Sequence, residues 1–292
     1  MNEIASTAQS SRAAGGAPTI GVFDSGFGGL TVLRALIARI PQARFAFLGD
    51  TARLPYGSKS RRTIARYAAQ SAQFLVNEQG AEYLVIACNT ASALALDTIQ
   101  DAVPVPVLGV IEPGAAAAHA ASATRDVLVI ATDATVQSHA YAAACRAQGL
   151  RALEKACPLL VPLVEEGWTD HPVAAEVIHV YLDELRAEAK AQGLTPDTLV
   201  LGCTHYPLLR PLIERVLSEA APSAIRVIDS AESTADAALR LFNGRAPSPG
   251  VSAAAGTEIR CFATDSVEKF ERLGSRFLGR PVGHVELVDL GG

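Results

Sequence analysis

Short apolar runs of β type alternate with amphipathic helical patterns along almost all of this 292-residue chain, and that alternation constrains the fold more than any other feature. Thr19 to Phe23 reads as a strand, after which Leu30, Leu33, Leu36, Ile37 and Ile40 recur at helical spacing. Phe45 to Leu48 is a second strand and Ile64 to Glu78 a second helix. Further strands are expected at Leu84–Ala87, Val107–Ile111, Val127–Ala131, Leu199–Gly202, Val227–Ile228 and Ile259–Phe262. Such a pattern predicts an α/β fold with mostly parallel sheets covered by helices on both faces. Ligands of these sheets sit beyond the carboxyl ends of the strands. The residues just after each strand are therefore where chemistry is sought.

Two of those strand ends resemble each other. Leu84-Val85-Ile86-Ala87-Cys88-Asn89-Thr90 and Leu199-Val200-Leu201-Gly202-Cys203-Thr204-His205 are both apolar runs that end in cysteine and small polar residues. They read as equivalent points in two similar three-layer lobes with a cleft between them. The first lobe is expected to comprise residues 19–111 and 222–292, the second residues 112–221. Residues 1–18, rich in Ala, Ser, Gly and Thr, read as a disordered leader with neither the apolar core nor the charge of a signal peptide.

The five cysteines are odd in number and form no C-x-x-C pair, so neither a disulfide framework nor a zinc ribbon is expected. Free thiols fit a reducing compartment, and the cytoplasm is the expected location. A formal net charge of −5 gives no basic footprint for nucleic acid, and no uninterrupted apolar run is long enough to span a membrane. Cys145, Cys157 and Cys261 read as buried structural residues. Cys88 and Cys203 are different, because a thiol has an ordinary pKa of about 8.5 that a helix N-terminus can lower. Bringing it to about 7 takes roughly 2 kcal/mol. Inverting an α-carbon needs a proton removed on one face and another delivered on the opposite face. Two thiols across a cleft can do both.

Other segments add polar groups. Phe23-Asp24-Ser25-Gly26-Phe27-Gly28-Gly29-Leu30 follows a strand and offers backbone N–H groups to an anion, but lacks dinucleotide spacing and a P-loop lysine. Asp24 alone reads equally as a cap, and Leu54-Pro55-Tyr56-Gly57-Ser58 alone as a turn. Glu165, after an apolar run, is a candidate for partial burial. His205 stands two residues from Cys203, within reach of a thiol or a carboxylate.

Taken together, four segments resemble the glutamate racemase family in order and spacing. They are Gly21 to Leu30, Gly49 to Gly57, Ala87 to Ser92, and Gly202-Cys203-Thr204-His205-Tyr206-Pro207. The resemblance runs from about Ile20 to about Leu241. It implies two α/β lobes with the active site between them, and interconversion of L- and D-glutamate that supplies peptidoglycan synthesis. It implies no pyridoxal phosphate, metal or nucleotide cofactor. By motif, Cys88 and Cys203 are the acid/base thiols, assisted by Asp24 and His205 respectively, with Glu165 as a further helper. Cys203 takes the proton from the L enantiomer and Cys88 from the D. Asp24, Ser25, Tyr56, Gly57, Asn89, Thr90, Thr135, Thr204 and His205 are the implied substrate contacts. Thr135 carries less weight, because Asp133 and Ala134 depart from the family's small Gly-Thr form. The only partner implied is the small-molecule substrate, and a homodimer stays open. The rival readings are an aspartate racemase of the same superfamily and a non-catalytic anion-binding protein. His205 and Pro55-Tyr56-Gly57 favour glutamate, and the pair of cysteines argues against a decarboxylase relative.

Overall fold

The computed structural model describes residues 17–220, 225–243 and 257–291. Of the expected leader, residues 1–16 lie outside them. The chain begins with β1 (Thr19–Asp24), α1 (Leu30–Arg39) and β2 (Arg44–Gly49). Two 3₁₀ turns follow, Thr51–Arg53 and Tyr56–Ser58, then α2 (Arg61–Asn77), β3 (Tyr83–Ile86), α3 (Asn89–Leu94), α4 (Leu96–Ala102) and β4 (Val107–Gly109). Next come α5 (Ile111–Ala121), β5 (Asp126–Ala131), α6 (Asp133–Ser138), α7 (Ala140–Ala147), β6 (Arg151–Ala156), α8 (Leu160–Glu165) and α9 (Pro172–Ala191). After β7 (Thr198–Gly202) and a 3₁₀ turn at Tyr206–Leu209 come α10 (Arg210–Ala220), β8 (Arg226–Asp229) and α11 (Ser230–Asn243). The last elements are β9 (Ile259–Ala263), α12 (Val267–Leu278) and β10 (Val285–Leu287).

These strands form two all-parallel sheets. The first has the order β10-β9-β2-β1-β3-β4, the second β6-β5-β7-β8. The segment β2-β1-β3-β4 repeats as β6-β5-β7-β8, so β3 and β7 occupy equivalent places. The two cysteines that follow them are therefore topologically matched. β9 and β10 extend only the first sheet, beyond β2.

The period-2 alternation of the first sheet is visible in its packing. Ile20, Val22, Phe45, Phe47 and Val85 face a core that continues into the second sheet through Val127, Val129 and Leu199. Phe23, Leu48, Leu84 and Ile86 face a separate core beneath α2. α11 packs on both α1 and α5, bridging the two halves. No helix among the described residues is long and apolar enough to cross a membrane.

Two sequence expectations need correction, and two strands were not anticipated. β8 pairs with β7, Leu199 opposite Val227, so residues 226–229 belong to the second sheet and not with 222–292 in the first lobe. The expected strand Val107–Ile111 stops at Gly109, and Ile111 opens α5. β6 was not anticipated because its sequence, RALEKA, has no apolar run. It is an edge strand paired only with β5, and Arg151 at its start grips Asp126 opposite through two bonds of 2.6 and 2.7 Å. The short edge strand β10 was missed for a similar reason.

The approach to β7 is tied by Asp197. Burial opposes its ionisation, but hydrogen bonds from Ser122, Ala123, Thr124 and Thr198 outweigh that and hold its pKa at about 2. The folded state thus favours the carboxylate more than the unfolded chain does, whose value is about 3.9. The stabilisation is present above about pH 4 and is lost as pH falls toward about 2. We predict that Asp197→Asn lowers stability by about 1–2 kcal/mol at pH 7, a figure discounted for partial exposure, and by much less at pH 2. Urea unfolding at the two pH values checks this; an equal deficit at both would refute it.

Candidate active site

Register brings the carboxyl ends of the first sheet level. Asp24 lies opposite Gly49, and Phe23 opposite Ile86, so the turns holding Ser25, Asp50 and Cys88 all open at one edge. In the second sheet Ala131 lies opposite Gly202, which sets Thr132 level with Cys203. The two edges face a cavity of about 430 Å³. Its wall carries Ser25, Tyr56, Gly57, Cys88, Asn89 and Thr90 from the first half, and Glu165, Cys203, Thr204 and His205 from the second. Ten of the expected site residues are thus brought together.

The close approach of the halves explains a glycine. A Cβ on Gly28 would lie 2.6 Å from His205 Nδ1 and would also strike Thr204 Oγ1, so the turn after β1 admits no side chain here. Beside it, Thr31 Oγ1 donates to the carbonyl of Thr204 at 3.2 Å.

Cys88 caps α3, its Sγ accepting from the N–H of Ala91 at 3.4 Å while lying 3.4 Å from Ser25 Oγ. Cys203 opens a turn that leads into a 3₁₀ segment, and α10 starts only at Arg210. The N–H groups of His205 and Tyr206 favour its thiolate. In neither case do these donors prevail. Burial, with Asp24 adding to it, pushes Cys88 up to about 11. Burial, aided by the charges of Cys88 and Asp24, pushes Cys203 up to about 12. The N–H groups at these turns therefore do not by themselves acidify the thiols: burial moves both above the ordinary thiol value. Cys145, Cys157 and Cys261 are also buried and free, as read from the sequence.

Asp24 and Thr135 do not stand on the cavity wall. Asp24 is the last residue of β1, 1% exposed, and its Oδ2 folds back to accept from the N–H of Gly26 at 3.0 Å. Burial raises its pKa, against the opposing charge of His205 and the N–H groups of Gly29, Gly26 and Ser25. Thr135 is fully buried, its hydroxyl closing a triangle with Thr90 at 3.3 Å and Thr132 at 3.0 Å. Thr132 takes the wall position expected of Thr135.

His205 Nε2 lies 3.4 Å from Glu165 Oε1, an ion-pair distance without hydrogen-bond geometry. Burial works against Glu165, yet His205 and Lys269 hold its pKa below the ordinary value. Asp24 Oδ1, Asn89 Nδ2 and His205 Nε2 are buried with no hydrogen-bond partner. Two of the three, on Asn89 and His205, belong to cavity-lining residues and are costly unless a ligand completes them.

Sequence reasoning missed Lys269 and Asp50. Lys269 comes from α12, beyond the segments that carried the resemblance, and nothing in its local sequence marks it. Asp50 lay within a quoted motif but was given no role. It is fully buried and accepts from Tyr56 OH at 2.6 Å and Thr264 Oγ1 at 2.9 Å. Tyr56 thus lines the cavity with its ring while its hydroxyl is spent on Asp50.

Residues 29–238 match the family described as Asp/Glu/hydantoin racemase. The glutamate racemase of Koribacter versatilis is 54% identical, over 94% of this chain and 98% of that protein. Glutamate racemase from Francisella tularensis, solved with D-glutamate, superposes with a TM-score of 0.81 at 34% identity, covering 94% of this chain and 98% of that one. The glutamate racemase isoform RacE1 of Bacillus anthracis gives 0.82 at 34% identity with the same coverage.

The Tyr56–Asp50 bond predicts that Tyr56→Phe, which leaves a buried carboxylate short of a donor, costs about 1–3 kcal/mol of stability. Chemical denaturation measures it, and an unchanged midpoint would show that Asp50 is satisfied without Tyr56.

Proposed function

This chain belongs to the Asp/Glu/hydantoin racemase family as a glutamate racemase-type isomerase, and on that premise we propose that it interconverts L- and D-glutamate through two thiols acting from opposite sides of the cavity. The observation that carries the reading is the matched pair Cys88 and Cys203, at equivalent strand ends on two walls of one cavity. In this account Cys203 removes the α-proton of the L enantiomer while Cys88 delivers a proton to the other face. The roles exchange for the D enantiomer. Each general acid/base step contributes roughly 10²–10⁴-fold.

Because burial raises both thiols, the thiolate that acts as base is favoured by the charge the substrate brings. The substrate ammonium brings positive charge among buried groups, where it counts for more than in water. Asp24, whose burial already favours the protonated form, is the partner for the Cys88 proton. His205, backed by Glu165, is the partner for that of Cys203. Ser25, Gly57, Asn89, Thr90 and Thr204 line the cavity as candidate donors to the substrate carboxylates. The unpartnered Nδ2 of Asn89 is the donor with most to gain. N–H groups at the start of α3 and in the turn after Cys203 favour the thiolate of each cysteine as it forms. The two thiols already supply an acid and a base, so the account needs no added cofactor. A role in supplying D-glutamate for peptidoglycan, in the cytoplasm, follows from the same reading.

Cys88→Ser and Cys203→Ser should each lower kcat by at least about 100-fold in both directions, with the fold preserved. Steady-state assays with each glutamate enantiomer, alongside circular dichroism, check this. Near-normal turnover in either variant would remove that thiol from the reaction, and preference for aspartate would move the substrate assignment to the neighbouring racemases.

A further inference from the structure

α12 connects β9 to β10 and so belongs to the first sheet, yet it meets the second half of the site at three points. Lys269 Nζ lies 3.3 Å from Glu165 Oε2. Phe277 sets its ring edge-on to that of His205, with centroids 5.0 Å apart. Arg276 lies against Gly167, where a Cβ would come within 2.6 Å of its Nη1 and where φ is already +82°. Lys269 and Arg276 are two helical turns apart and share one face of α12.

Glu165 is divided between two partners. Its Oε1 faces His205 and its Oε2 faces Lys269. The carboxylate is about three-quarters buried, with 24% exposure, whereas Lys269 is about half exposed at 47%. Lys269 therefore stands at the rim and reaches inward, with Nζ also 5.7 Å from the Phe27 ring centroid. Among the described residues that line the cavity it is the one lysine or arginine. A carboxylate held by one weak contact to His205 alone has room to turn away. Held from both sides, it has one orientation.

We propose that Lys269 is a positioning residue for the Cys203 half of the reaction, pinning Glu165 across the cavity rim so that its other oxygen keeps facing His205. The inference rests on the racemase reading above. Its distinguishing feature is that the contribution of Lys269 passes through Glu165 and vanishes when the carboxylate is removed.

The test is a double-mutant cycle in kcat/KM, with each glutamate enantiomer as substrate. Lys269→Met should lower kcat/KM about tenfold, the loss of one charge-assisted contact. Lys269→Arg, which keeps the charge, should stay within about threefold of the unsubstituted protein. In a Glu165→Gln background, Lys269→Met should change kcat/KM by less than about twofold. A Lys269→Met protein within about twofold of the unsubstituted one overturns the proposal, as does an equal loss with and without the Glu165 carboxylate. The unsubstituted protein's rate on glutamate, taken in the same assay, reports on racemisation itself and separates failure of that reading from failure of this one.

Discussion

The parallel pairing of β3 on β1, repeated by β7 on β5, is the constraint on which the site depends. Each pairing ends one residue or two before a cysteine, so the backbone bonds of the sheets set where the sulfurs stand. The turn after β1 then has to pass close to Thr204 and His205, and only a glycine at position 28 allows it. The shared core through Ile20, Val22, Val127 and Leu199 holds the two sheets in that relation. Packing far from the cavity therefore sets the geometry within it.

Burial gives the site its electrostatic character. The thiols receive N–H groups from Ala91, His205 and Tyr206, and desolvation still raises both. In the proposed reaction Asp24 and His205 are the groups that take the proton leaving each sulfur, and burial already raises the pKa of Asp24. The orphaned atoms of Asn89 and His205 fit the same picture, because both residues line the cavity and have hydrogen bonds to offer a substrate.

Much of this was legible in the sequence, for definable reasons. Buried parallel strands such as Val127–Ala131 are continuous apolar runs, and the residues after them are where ligands bind. That reasoning picked out Cys88, Asn89, Thr90, Cys203 and His205, and all five line the cavity. β6 escaped because an edge strand tolerates Glu154 and Lys155, and its pairing rests on Arg151 and Asp126. β8 was put with the wrong lobe because a short apolar pair, Val227-Ile228, says nothing about which sheet edge accepts it. A sequence shows the N–H donors of a helix start but not the depth at which the sulfur lies, and here that depth raises both thiols. Lys269 was invisible for a different reason: its importance comes wholly from the partner that α12 meets in three dimensions.

The measurement that tests the two-thiol account most directly is the isotopic content of both enantiomers early in the reaction in D₂O. With L-glutamate as substrate, a thiol that removes the proton and a second, solvent-equilibrated thiol that delivers another should put deuterium at the α-carbon of the D-glutamate formed. The remaining L-glutamate should carry almost none. Deuterium appearing equally in both enantiomers would show a single base serving both faces, and would contradict the account.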